Sequence, residues 1–147
     1  MLRSTALAFG ALAFCMLVML NVGGYRYGVS DQAFYIPVVQ QGLNPSLFPH
    51  DAALLAAQNQ LFAFDNWFAP VVRLSGLSLP VAFLASYLVG LLVLYGASVS
   101  IGRSLFRTWW GVAALGAALT LRHRIPDTAV NTLEAYLHPR QLAFAAG

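Results

Sequence analysis

The chain has 147 residues, 59% of them hydrophobic and only 9% charged, with eight arginines, no lysine and five acids, for a net charge of +3. So little charge cannot coat a soluble globule of this length, which excludes a soluble enzyme, a disordered tail and a coiled coil and points to a membrane protein. The arginines are scattered, so the basic balance does not imply nucleic acid as a partner, and the single cysteine, Cys15, rules out an internal disulfide or a multi-cysteine metal site.

No charge interrupts the chain between Arg3 and Arg26, and the apolar run Thr5–Val22 is long enough for a first membrane span. A cleaved signal peptide is the rival reading, but no small-x-small cleavage site follows at Asn21-Val22-Gly23-Gly24-Tyr25. Gly23-Gly24 ends the helix. Ser30 is placed to cap a helix over Asp31–Gln41, with Phe34, Tyr35, Val38 and Val39 on one stripe and Gly42 as its terminator. Asn44-Pro45 and Pro49 form turns. Asp51 caps a second helix, Ala52–Phe64, with Leu54, Leu55, Leu61 and Phe62 on its apolar face, and Asp65-Asn66-Trp67-Phe68 closes it. Both helices of this long outer loop (23–78) are expected to lie on the membrane surface.

A second span is read over 79–101 and a third, shorter one over 108–121, flanked by Arg107 and Arg122 and entered through Trp109-Trp110. A re-entrant hairpin is the alternative for the third. With the N-terminus cytoplasmic, Arg3, Arg103 and Arg107 lie inside. Arg26, Arg73, Arg122, Arg124 and Arg140 then lie outside, against the positive-inside rule; a re-entrant third segment brings the last three of these inside. Pro126 and Asp127 suit the start of a short outer helix over 126–138. Pro139 separates it from an apolar helix that opens at 140–147, as if the chain were the N-terminal part of a longer protein. The expected fold is therefore all-α: one multi-pass membrane domain over 1–147, with about three spans, the start of a fourth and no sheet.

No phosphate-binding loop, dinucleotide turn, zinc spacing or nucleophile elbow is present. Asp31, just beyond the first span, could serve as a general base or hold a divalent cation, or could simply occupy a helix start. Arg122, Asp127, Glu134 and Arg140 gather basic and acidic groups near the surface, where they could grip a phosphate or act as interfacial anchors.

The layout resembles the GT-C superfamily of multi-pass glycosyltransferases. The residues that carry the resemblance are Gly28-Val-Ser-Asp31-Gln-Ala-Phe-Tyr35 at the head of the first outer loop, Asn44-Pro-Ser-Leu-Phe-Pro-His-Asp51, and Pro139-Arg140 before a helix. The match is especially to bacterial relatives of unknown activity. The resemblance implies a helix bundle in the bacterial inner membrane that takes sugar from a polyprenyl-phosphate donor on the outer face. It implies Asp31 as the first-loop acid, and Asp127, Glu134, Arg140 and Arg122 near the donor. Many members pair two acids where this chain has Asp31-Gln32. A non-enzymatic membrane protein, a permease component or scaffold, is the alternative.

Overall fold

The computed structural model describes residues 2–61, 63–121, 124–125, 130–131 and 133–141. Six helices carry the fold: α1 (Leu2–Val22), α2 (Gln32–Leu43), α3 (Ala52–Leu61), α4 (Ala63–Ser75), α5 (Leu79–Leu105) and α6 (Trp109–Leu119). The chain divides into two compact units, residues 26–85 and residues 1–25 with 86–147, and α5 contributes its first turns to the former and the remainder to the latter.

α1 and α5, of 21 and 27 residues, are the two helices long and apolar enough to cross a membrane. At 1.5 Å per residue α5 reaches about 40 Å, beyond a hydrocarbon core of about 30 Å. α1 ends where expected: Gly23 and Gly24 take φ of 78° and 87°, and the Gly24 amide donates back to the Met19 carbonyl at 2.7 Å. That six-to-one bond is the glycine stop that a residue with a Cβ makes at a cost. Pro80 sits in the first turn of α5, where a missing amide hydrogen is harmless. α6 has 11 residues, roughly 16 Å, about half a bilayer core.

In the first unit of α1, the rest of α5 and α6, the buried stripes are Phe14, Val18 and Val22 on α1 and Val112, Gly116 and Thr120 on α6. Both repeat every four residues, one helical face each. Small residues let the backbones approach: a Cβ on Gly102 would meet Val112 at 3.0 Å, and one on Gly10 would overlap the Tyr95 hydroxyl.

In the unit of residues 26–85, α2 packs chiefly on α4. Tyr35, Val38 and Val39 of α2 bury with Phe64, Phe68 and Val72 of α4. The Phe68 ring stacks on Phe64 at 4.8 Å and meets Phe83, at the start of α5, edge-on at 4.8 Å.

Several expectations need correction. Asp31, not Ser30, stands at the α2 N-cap, because Ser30 has turned to φ 52°. Gly42 lies inside α2, which runs to Leu43. Its close approach to α4, where a Cβ would lie 3.1 Å from the Ala69 methyl, is what the glycine serves. The helix after Asp51 is described over Ala52–Leu61, and Asp65–Phe68, expected to close it, lies within α4, which carries Pro70. Burial of Phe64, Phe68 and Val72 at i, i+4 and i+8 offsets the proline's missing bond. On α3, Leu55 is buried but Leu54 is 65% exposed, so they do not share one face; Phe62 lies outside the described residues.

The short helix over 126–138 is not formed where it is described. Arg124–Ile125 pairs antiparallel with Val130–Asn131, a two-residue ladder where no sheet was expected. Residues 133–138 follow as bends. Leu133, Tyr136 and Leu137 have helical spacing, yet they bury as a loop. Pro139 disfavours helical backbone at His138, which removes the end of that helix. Residues 139–141 are helical, at the point where a further helix was expected to open.

Candidate functional site

Asp31 is set by the turn before α2. Gly28 at φ 78° and Ser30 at φ 52° reverse the chain, and the Gly28 amide donates to Gln32 Oε1 at 2.8 Å. Gln32 is wholly buried. Gln32 therefore closes the turn that carries Asp31. The Asp31 side chain is half-exposed and makes no capping bond to the first turn of α2. Tyr27, in the same turn region, lies edge-on to Phe83 at 5.7 Å. Burial pushes its phenol pKa up, so it remains an O–H donor at neutral pH.

Glu134 and Arg140 belong to the other unit. Asn131 Nδ2 donates to Glu134 Oε1 at 3.1 Å, and the Glu134 carbonyl accepts from the Tyr87 hydroxyl at 3.0 Å. Tyr87 is fully buried, so it fixes this loop to α5. Arg140 is half-buried beside His138: its amide donates to Nδ1 at 3.0 Å, and its Nη2 lies 2.9 Å from Nε2. Only one nitrogen of a neutral imidazole accepts, so one of these contacts at a time is a hydrogen bond. Gln141 is buried, and both of its side-chain polar atoms lack a partner among the described residues. Arg122 and Asp127 lie outside the described residues.

Sequence reasoning missed Tyr87, His138 and Gln141 as the residues that organise this segment. Tyr87 carried a signal, as a hydroxyl in the middle of an apolar helix; His138 and Gln141 carried none. Among the described residues no three His, Cys, Asp or Glu side chains gather as a metal site.

The polar side chains within the helices of this unit are spent on each other. Asn21 Nδ2 donates to the Thr120 carbonyl and Oγ1 at 3.0 and 3.1 Å. The Tyr95 hydroxyl donates to the Leu7 carbonyl at 3.1 Å, and Ser98 Oγ donates to the Tyr95 carbonyl at 2.7 Å. No family model, curated protein or solved structure matches the chain.

Proposed function

We propose that the chain is a multi-pass membrane protein whose chemistry lies outside its spans, on a plan resembling GT-C sugar transfer from a polyprenyl-phosphate donor. α1, α5 and α6 are the spans, α6 entered from Arg107. The observation that carries the reading is the fate of the polar groups. Among the described residues Asn21, Tyr87, Tyr95 and Ser98 are bound to backbone or to Thr120, so these four side chains are not open to line a transport path. Asp31 instead sits at the start of α2, after the turn of Gly28 and Ser30, and Arg140 in the helical residues 139–141.

In this reading the Asp31 carboxylate takes the proton of the acceptor hydroxyl as that oxygen bonds to the sugar's anomeric carbon and the bond to the polyprenyl phosphate breaks, the phosphate leaving as an anion. α4 lies in the membrane interface beside the start of α5, with Trp67, Val71 and Leu74 turned to lipid; all three are exposed, Leu74 at 87%.

The test is Asp31→Asn in the full-length protein, assayed for transfer from polyprenyl-phosphate sugars. Asparagine serves an N-cap position as well as aspartate does, so folding and membrane insertion are expected to hold. Loss of a general base costs about 100-fold or more in rate. Unchanged transfer removes Asp31 from the chemistry. Absence of any transfer by the native protein favours a non-enzymatic membrane role.

A further inference from the structure

We infer that the α5–α6 end of the unit built from residues 1–25 and 86–147 binds an anionic phospholipid, its phosphate at Arg103 and Arg107 and one acyl chain in the groove between α1 and α6. The inference rests on the membrane reading of the chain and is independent of sugar transfer.

The groove has a volume of about 600 Å³, within the range of small-ligand sites. Its walls are Gly10, Ala13 and Phe14 from α1, Ala113 and Ala117 from α6, and Tyr95 from α5. The hydroxyls that reach it are engaged: Tyr95 on the Leu7 carbonyl, Ser98 on the Tyr95 carbonyl and Thr120 on the Ala117 carbonyl. What remains is a carbon surface, which a hydrocarbon chain covers without desolvating a polar group.

The mouth is different. Trp109 and Trp110 line the groove there and are 52% and 84% exposed, the position and residue type of a headgroup-level belt. The Arg103 guanidinium lies over the Trp109 ring at 4.6 Å. Stacking by its face leaves its N–H edges for phosphate oxygens, which accept in a bidentate fashion. Arg107 is exposed four residues on, and the N-terminal end of α6 adds its partial positive charge. No acid occurs in the sequence between Asp65 and Asp127, so nothing nearby along the chain neutralises these cations. An apolar helix in the groove would leave the two arginines unanswered, and a free phosphate would leave the groove empty. A lipid with a negative headgroup satisfies both.

The experiment uses the full chain, recovered from alkali-washed membranes and purified in detergent. Phosphatidylglycerol and phosphatidylcholine of the same acyl chains are offered in equal amounts, and native mass spectrometry counts what is retained. A cation near an anionic surface contributes roughly five-fold, so two give about twenty-fold in favour of phosphatidylglycerol. The preference is expected to fall to near parity in the Arg103→Gln/Arg107→Gln chain and to survive in Arg103→Lys/Arg107→Lys. Ala113→Leu, which fills the groove, is expected to lower retention of both lipids. Equal retention by the native chain overturns the inference, as does an unchanged ratio in the glutamine pair. Undiminished retention in Ala113→Leu overturns the placement of the acyl chain, and so does competition by glycerol 3-phosphate as effective as that by whole lipid. A chain absent from the alkali-washed membranes refutes the membrane reading itself, and this site with it.

Discussion

Tyr87 shows how one hydroxyl ties a loop to a helix. Its ring is fully buried, and its O–H reaches the Glu134 carbonyl at 3.0 Å across a part-buried contact. Tyr87→Phe keeps the ring and strands that carbonyl, so a loss of about 1–2 kcal/mol is expected in thermal unfolding of the detergent-solubilised protein. Tyr95 and Gly10 form a second such pair. A methyl at Gly10 would overlap the Tyr95 hydroxyl, which is the group bonded to the Leu7 carbonyl. Gly10→Ala is therefore expected to destabilise by about 1–3 kcal/mol through overpacking. Removing the hydroxyl as well relieves the overlap, so the Gly10→Ala/Tyr95→Phe chain is expected to be more stable than the two single effects added together. Additive single effects would mean that the helices move apart rather than the side chain.

At the scale of elements, what was legible followed from composition and what was not followed from packing. Long charge-free runs bounded by arginines placed α1 and α5, because an apolar run of that length folds as one continuous helix. Gly23-Gly24 announced its stop, and a positive φ there is a property of the residue itself. α4 was not legible, since Asp65-Asn66-Trp67-Phe68 read as the close of the helix before it. It exists because Phe64, Phe68 and Val72 find α2 and Phe83, partners distant in sequence. The Asp31 turn was half legible: the acid was picked out, but not the buried Gln32 that holds the turn. The end of α2 was misread for a related reason. Gly42 read as a terminator, whereas the Arg73 Nη2 from α4 donates to the Gly42 carbonyl at 2.9 Å and caps the helix from outside. Arg73→Gln is expected to fray the last turn of α2, seen as faster amide exchange at Leu43 and Asn44, with little global loss. The exposed stripe of α4 gives a second check. With Trp109 and Trp110 replaced by phenylalanine, Trp67 is expected to emit blue-shifted in nanodiscs and to be quenched by shallow brominated lipids rather than by aqueous iodide. Quenching by iodide would place that face in water.

At the scale of the molecule, the proposed reading is tested by orientation. Within the unit of α1, the later part of α5 and α6, the Tyr95–Leu7 bond sets the α5 C-terminal half against the start of α1, and Asn21–Thr120 joins the far ends of α1 and α6. The starts of α1 and α6 and the end of α5 therefore share one end, and by sequence Arg3, Arg103 and Arg107 belong to it with no acid beside them. The proposed cytoplasmic N-terminus puts that end inside, with the other five arginines outside against the positive-inside rule, so side-specific labelling is the test. The opposite end has acids as well as arginines, Glu134 with Arg140 among them. Cys15 is the sole cysteine, so a Cys15→Ala chain accepts single reporters. Cysteines at Ser46, Ser104 and Ala135 then read three segments with a membrane-impermeant maleimide applied to intact cells. Ser46→Cys and Ala135→Cys are expected to label from outside, and Ser104→Cys only after the membrane is opened. If α6 enters and returns, Ala135→Cys changes sides and labels with Ser104→Cys while Ser46→Cys stays outside. That pattern would show that α6 enters the bilayer and returns, and would remove it from the proposed spans.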